Sequence, residues 1–380
     1  MNYHFSRDSA HDMRYKRRMP DSLGTPCLII DASIARRNIQ RMAEYAAAHG
    51  LRLRPHTKTH KSIRLARMQL DAGAIGLTVA KAGEARIMAE AGDDILMAYP
   101  AVDRARCTIL AELAKSKRIR VAIDSSVAAG ALSAAASAAE TTIGILVEID
   151  VGLHRTGVQS AKAALELAQT INVLQGLRLD GLMFYPGHVS GPAPEQAVAL
   201  TEIDALLNET LSLWKWHGLN ATIVSGGSTP TAFQSHLIKS LTEIRPGTYI
   251  FNDMNCVLGG VAAVEDCAAR ITATVVSNAV PGQFVIDAGS KTLTSDRCGP
   301  APNSGHGLIL EYPGAKIVKL NEEHGQVDIT ACDRAPNIGE RVTVIPNHIC
   351  PCINLQDRVW CREEDGTLQP LNVDARGRLV

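Results

Sequence analysis

Residues 51–62 read "LRLRPHTKTHKS", and whether they open a repeating series of strands decides the fold. Alternate side chains of a strand point to opposite faces. Arg52, Arg54, His56 and Lys58 are therefore expected on one side, with Leu51, Leu53, Pro55 and Thr57 on the other. The next strand-like runs, "GLTVA" at 76–80 and "DILMAY" at 94–99, are mostly apolar on both faces, as strands buried in a parallel sheet are. Three strong cations and a histidine lined up beside such strands demand a functional reason.

Outward from this stretch, short β-rich runs alternate with helical runs rich in Ala and Leu. Strands are expected at 52–59, 76–80, 94–99, 119–124, 143–150, 178–185, 221–226 and 242–249, with seven helical segments between them. Such alternation implies parallel strands with crossover helices. Eight units within residues 52–249 favour a (β/α)8 TIM-like barrel over an open doubly wound sheet, although no sequence pattern proves closure. No GxGxxG follows the first strand, which weakens a dinucleotide-binding reading.

After about residue 252 the rhythm changes to strand-like runs separated by turn residues, with no helices expected. The organisation anticipated is a polar N-terminal segment (1–24), a barrel (25–250) and a C-terminal β domain (251–380). The run "TPCLIID" at 25–31 precedes the eight strands, and either joins the β domain or covers the barrel floor.

Composition narrows the function classes. Lys plus Arg equals Asp plus Glu at 39 each, so charge gives no reason to expect a nucleic-acid or membrane partner. No apolar run is long enough to cross a bilayer. Nine cysteines, an odd number without framework spacing, argue against a disulfide scaffold and for a reducing cytoplasm. The basic N-terminus has no apolar segment after it and does not read as a secretory signal; its first ~20 residues are expected to be poorly ordered.

Active sites of such barrels lie at the C-terminal ends of the strands. Those ends carry Lys58, Tyr99, Asp124, Arg155, Tyr185, the run "SGGSTPT" (225–231) and Tyr249. In that run, Ser225, Gly226 and Gly227 lead into Ser228 and Thr229, so backbone amides and hydroxyls suit a phosphate; an ordinary capped turn reads the same way locally. "RPGTY" (245–249), with Gly247, Thr248 and Tyr249, ends the eighth strand, and phosphate sites in barrels commonly use the loops after strands seven and eight. A lysine among other cations in a partly dry site has its ammonium form disfavoured and becomes a better amine for imine formation. A phosphate-bearing aldehyde with a lysine partner is pyridoxal 5'-phosphate. The bland alternative is a loop lysine with its head in water.

A second constellation is "PNHICPCINLQD" (346–357). Read as a strand, it puts His348 and Cys350 on one face, where imidazole and thiolate suit zinc or another borderline divalent metal. An exposed histidine beside a buried thiol is the simpler account of the local sequence. Cys352 continues that face, but Pro351 disturbs it, and Cys352 is left out of the set.

Taken in order, "RPHTKTHKS", "HRTGV" (154–158), "SGGSTPT", "RPGTY" and "NHICP" (347–351) resemble the D-threonine aldolase/D-serine dehydratase group, fold-type III pyridoxal phosphate enzymes with an alanine racemase-like barrel. The resemblance covers roughly residues 25–360. It implies that Lys58, rather than Lys61, carries the cofactor and that Arg155 approaches its phenolic oxygen. It also implies Tyr185 near the ring, with Ser228, Thr229, Gly247 and Tyr249 around the phosphate. A catalytic divalent metal, zinc or manganese, at His348 and Cys350 follows, as does a homodimer in which the β domain packs over a partner's barrel. The His-x-Cys pair resembles the dehydratases, whereas the residues after it resemble the aldolases.

His188 in "YPGHVSG" is a candidate general base or a plain loop histidine, and Glu323 and His324 in "NEEHG" are a candidate rim or a solvated turn. The function anticipated is a metal-dependent lyase acting on small β-hydroxy-D-amino acids, with aldol cleavage ahead of dehydration. A racemase, with Tyr312 as the one tyrosine after the barrel, and a non-catalytic cofactor carrier rank lower.

Overall fold

The computed structural model describes residues 23–380, so the polar segment anticipated over 1–24 lies almost wholly outside the described residues. The chain begins not in the barrel but in the far sheet. Strand β1 (Cys27–Asp31) pairs antiparallel with β10 (Ala269–Ser277) and parallel with β16 (Arg358–Arg362). Of the two placements open for residues 25–31, the β domain is the one adopted. The Asp31 carboxylate then caps helix α1 (Ala32–Ala48) by accepting from Ile34 N at 3.1 Å, and the chain passes into the barrel.

All eight anticipated barrel strands are present. They are β2 (Arg52–Leu53), β3 (Leu77–Val79), β4 (Asp94–Met97), β5 (Arg118–Ile123), β6 (Ile143–Glu148), β7 (Leu177–Met183), β8 (Ile223–Gly226) and β9 (Glu243–Ile244). They are parallel, in the order β2-β9-β8-β7-β6-β5-β4-β3. The two ends of this curled sheet meet through the His56–Thr78 bridge and the hydrogen bond from Ile75 N to Leu53 O (2.9 Å). The connecting helices are α2 (Ile63–Asp71), α3 (Ala82–Met88), α4 (Arg104–Ala114), α5 (Ser126–Ala138), α6 (Ala161–Val173) and α7 (Ala193–Trp216). The seventh connection is a 3-10 segment, Ala232–Leu237, instead of a full helix.

Three sequence expectations fail at the edges of this pattern. The first strand is two residues long, not eight: Pro55 has no N–H for the ladder, and Thr57–Thr59 coil into a 3-10 turn. The eighth is likewise reduced to two residues, with a second 3-10 turn at Thr248–Ile250. The C-terminal unit, expected to lack helices, contains α9 (Ser290–Leu293) and α10 (Ile349–Asn354), preceded by α8 (Met254–Leu258).

That unit is a nine-stranded sheet. It adds β11 (Gln283–Ile286), β12 (Leu308–Ile309), β13 (Lys316–Leu320), β14 (Gly325–Asp328), β15 (Arg341–Ile345) and β17 (Leu368–Asn372) to β1, β10 and β16. No described helix is long and apolar enough to cross a membrane.

The barrel interior is layered by strand alternation. Its floor is charged: Arg54 Nε donates to Glu243 (3.0 Å) and its NH1 to Asp94 (2.5 Å), while Arg120 bridges Asp94 (2.6 Å) and Asp180 (2.7 Å). Arg54 is 1% exposed and Glu243 0%. Glycines make room for these groups, since a Cβ on Gly144 would lie 2.3 Å from Asp180 Oδ2 and one on Gly76 2.4 Å from Arg54 NH1. Two residues further along the strands, Leu96, Ala122 and Leu146 seal the floor from the mouth together with Met183 and Ile223. The Asp94 carboxyl sits below its ordinary pKa: burial opposes its charge, but the guanidinium groups of Arg54 and Arg120 outweigh burial.

Breaking a buried pair costs more than forming it gains, because the abandoned charge stays desolvated. Arg54→Ala is therefore expected to cost about 3–5 kcal/mol in urea unfolding at neutral pH. Asp94 has a depressed folded-state pKa, so its contribution is present above the unfolded carboxylate range and disappears as pH falls through the folded value. The difference between wild type and variant should accordingly narrow in acid; a variant unfolding like wild type at pH 7 contradicts the assignment.

Candidate active site

The stretch that opened the sequence reading is sorted by the structure rather than lined up on one face. Arg52 is exposed at the outside, and Arg54 belongs to the floor network. From Leu53 to Ser62 every residue is buried except Lys58. The cations at 52 and 54 therefore do not share a face with Lys58 as the strand reading expects. The turn holding Lys58 is fixed on all sides. Thr57 Oγ1 donates to Glu84 (2.8 Å), Lys58 N donates to His56 Nδ1 (3.3 Å), and the His60 ring meets Gln69 (3.1 Å). Burial, followed by the charges of Lys58 and Arg245, keeps His56 far below its usual pKa, and burial pushes His60 down to about 4. Both rings are neutral at physiological pH, as an accepting Nδ1 requires. Lys61, in the left-handed region at φ 49°, is buried with Nζ 3.5 Å from Ala375 O. Of the two lysines, only Lys58 presents its amine to the barrel mouth.

Tyr185 stands opposite, its ring centroid 5.9 Å from Lys58 Nζ and 4.8 Å from the Arg155 guanidinium. Arg155 rides on a loop shaped by three carboxylates. Asp150 accepts from Gly152 N and His154 N (3.0 Å each), Asp124 from Gly157 N (3.0 Å), and Glu148 from Thr156 Oγ1 (2.8 Å). Burial opposes the Asp150 charge, yet these backbone donors and the His154 ring hold its pKa at about 2. Only glycine fits at 157, where φ is 107° and a Cβ would lie 2.4 Å from Asp150 N. His188 is exposed in the turn after β7, its ring close to Gly152 on the same loop. Tyr99, also at a strand end, stacks under Lys81 at 3.7 Å.

The glycine-rich run follows β8. Gly227 adopts φ 83°, and Ser228 and Thr231 close the loop through their hydroxyls at 3.0 Å. Thr229 Oγ1 accepts from Tyr249 N (3.2 Å), which ties this loop to the "RPGTY" segment. That segment in turn lies against the lysine turn: a Cβ on Gly247 would be 3.1 Å from Thr59 Oγ1. Two members of the anticipated cradle are engaged elsewhere. Ser225 Oγ donates to Glu243 (2.7 Å), because strand alternation turns it into the barrel beside the floor network. The Tyr249 hydroxyl is buried and accepts from Gln69 (2.9 Å). Sequence reasoning missed Arg245, which the two-residue period from Glu243 directs inward. It is 5% exposed, its NH2 donates to Phe184 O (2.7 Å), and its Nε has no partner.

His348 and Cys350 are not on a strand. His348 is the N-cap of α10 and Cys350 lies in its first turn, and the two side chains still meet. The capping bond that His348 does not make comes from Asp253, whose Oδ2 accepts from Ile349 N (3.1 Å). The imidazole is thus free to face the site, with Nδ1 2.7 Å from Asp296 Oδ2. The Cys350 thiol donates to Thr59 Oγ1 (3.2 Å) and lies 3.6 Å from Thr248 Oγ1. Burial disfavours charge on both members. Their mutual attraction, with help from Asp296, overcomes it, raising His348 to about 9 and lowering the Cys350 thiol. Cys352 points the other way, to Leu293 O (3.4 Å). Among the described residues no group of three or more His, Cys, Asp or Glu is placed to hold a metal; the protein offers this pair. Glu323 pairs with exposed Lys291 at 2.8 Å, and His324 is exposed in the β13–β14 turn, as a solvated turn predicts.

Comparison with known proteins agrees with this architecture. The alanine racemase N-terminal domain family matches residues 30–254, and the putative serine dehydratase domain family matches 268–361. A D-threonine aldolase from Arthrobacter sp. is 31% identical, covering 93% of each chain. A D-threo-3-hydroxyaspartate dehydratase from Delftia sp. (strain HT23) is 34% identical over 87% of this chain and 91% of that one. Among solved structures, the D-threonine aldolase from Filomicrobium marinum superposes with TM-score 0.87 at 31% identity, covering 94% of this chain and 97% of the other. A D-threo-3-hydroxyaspartate dehydratase solved as a cysteine-to-alanine variant in the metal-free form gives 0.85 at 30%, covering 92% and 97%. With most of its length matched at both levels, the chain belongs to the D-threonine aldolase/D-serine dehydratase family, whose barrel is alanine racemase-like.

Proposed function

We propose that this protein is a pyridoxal phosphate- and divalent-metal-dependent lyase that cleaves β-hydroxy-D-amino acids to glycine and an aldehyde, as a D-threonine aldolase does. The observation that carries the reading is the contact between Cys350 and Thr59, which sets the His348–Cys350 pair beside the residue following Lys58. The residues present fit the cofactor. An exposed amine faces an aromatic ring, a guanidinium N–H of Arg245 is buried without a partner, and Gly227 at φ 83° opens a hydroxyl-lined loop. Lys58 would hold the aldehyde, Arg155 and Tyr185 the ring, and Gly226, Gly227, Ser228, Thr229, Gly247 and Thr248 the phosphate, with Tyr249 bracing that loop through its N–H to Thr229 Oγ1. The chemistry supplied by bound pyridoxal phosphate is an electron sink for a bond broken at the substrate's α-carbon.

His348 and Cys350 fit a borderline divalent ion such as zinc or manganese, whose chemistry is to acidify a hydroxyl it binds. The metal-free form described for a dehydratase relative supports a metal in this fold. His188, exposed beside the Arg155 loop, would accept the proton of the β-hydroxyl. Lys58 would also supply the amine that moves a proton at the α-carbon. Leu96, Ala122, Leu146, Met183 and Ile223 exclude water from below.

Dehydration to a keto acid and ammonia is the second reading, favoured by the thiol at position 350 and by the 34% identity to a dehydratase. Racemisation is set aside because Tyr312 is engaged by Glu340 (2.6 Å) and Arg334 (2.5 Å) in the β domain. A barrel over 32–250, a β domain over 251–380 that takes β1 as well, and a homodimer complete the reading. Nine unpaired cysteines support a cytoplasmic setting.

D-Threonine incubated with the protein, cofactor and manganese should yield glycine and acetaldehyde. Appearance of 2-oxobutanoate and ammonia instead selects dehydration, and no product from D-threonine, D-serine or 3-hydroxy-D-aspartate rejects both. Lys58→Ala should lose the yellow imine absorbance, and retention of that colour excludes Lys58 as the anchor. Metal binding should tighten with pH. Below about 9 the His348–Cys350 pair retains a proton that a metal must displace, so affinity should rise about tenfold per pH unit and level off above that value; a flat profile in titrations between these limits counts against the pair.

A further inference from the structure

We infer that Asp296 is a positioning residue for the metal, orienting the His348 imidazole so that its Nε2 is presented to the ion. This rests on the metal reading above and extends it to a residue that no motif marks. Asp296 Oδ2 lies 2.7 Å from His348 Nδ1 across 52 residues of sequence. With Nδ1–H held by a carboxylate, the proton that a metal displaces from the ring is the one on Nε2, whose lone pair then faces the ion. A carboxylate behind a ligating histidine fixes both ring orientation and tautomer, and strengthens the imidazole as a donor.

The loop that carries Asp296 is built to hold this position. Its backbone carbonyl accepts from Asn347 Nδ2 (3.1 Å), and its N–H donates to Thr294 Oγ1 (3.3 Å). Asn347, 2% exposed, also reaches Gly305 O (2.8 Å), so the residue before His348 clamps the loop twice. One turn earlier, Cys352 Sγ donates to Leu293 O (3.4 Å), which gives that buried thiol a structural role at the back of the same helix. Thr294 itself sits at φ 63°, ψ 170°, a strained region populated almost only by glycine. The strain falls two residues before Asp296 and is retained beside three clamps that all lead to α10. Asp253, at the start of α8, meets the backbone of α10 (Oδ2 to Ile349 N, 3.1 Å); Asp296, on the loop after α9, meets the ring. One carboxylate therefore sets the helix and the other sets the ligand.

The test titrates zinc into cofactor-loaded wild type, Asp296→Ala, Asp296→Asn and His348→Ala in competition with a chromophoric chelator, with imine absorbance and thermal unfolding followed alongside. Asp296→Ala should bind zinc about 10–100-fold more weakly, while its imine absorbance and melting profile stay those of wild type. Asp296→Asn keeps an accepting oxygen without the charge and should fall between the two. Zinc affinity of Asp296→Ala equal to wild type, with His348→Ala binding abolished, overturns the role of Asp296 alone. Equal zinc affinity in wild type and His348→Ala overturns the metal site itself.

Discussion

Arg54 is the group on which the rest of the site depends. The barrel is weakest where it closes, since β2 and β9 contribute two residues each and β3 contributes three. So short a seam has few ladder bonds, and Arg54 spans it, reaching Glu243 on β9 and Asp94 on β4 from the end of β2. The next four residues are the turn that carries Lys58. Ion pairing under the floor thus fixes the takeoff of the loop above it. A purely apolar floor would pack as well, but without directional bonds it would set the seam less sharply.

The same arrangement explains how a stretch with so many basic groups is tolerated. Each member meets a different environment: solvent for Arg52, two carboxylates for Arg54, a dry and neutral setting for His56, and the open mouth for Lys58. A continuous strand would have forced them onto one face. Pro55 interrupts the ladder, and the 3-10 turn at Thr57–Thr59 separates them.

How much was legible in the sequence follows from the range of the forces involved. The β/α rhythm is a local pattern of burial, so all eight strands and their order of use could be read directly. Strand lengths at the seam could not, because they depend on where proline and tight turns stop pairing. The recruitment of β1 into the far sheet rests on pairing Ile29 with Arg270 and Trp360, contacts that no local period encodes. Pro351 would disturb a strand but not this helix, since it lies in the first turn of α10, where a missing N–H costs nothing. The glycine-rich run reads as a loop from its residue types, and Ser225, on the strand expected at 221–226, turns inward by alternation to Glu243, away from the phosphate cradle. Arg245 was within a quoted motif and could have been found by carrying the two-residue period one step past Glu243.

The two parts of the site come from different units of the chain, and this sets a condition on how it works. Lys58 stands on the barrel and His348 on a helix of the C-terminal unit, so their relation depends on the contacts that cross between them. Cys350 to Thr59 crosses directly at 3.2 Å, while Asp253 and Asn255, on the link out of the barrel, hold Ile349 N at 3.1 Å and Asn347 O at 2.7 Å. Asp253 is 1% exposed, and burial raises its carboxyl above the usual range despite the N–H of Ile349 that it accepts. Leaving such a group without its partner costs more than the bond is worth in water. Separating the units would expose that cost at several points at once, so Lys58 and the His348–Cys350 pair are held in register.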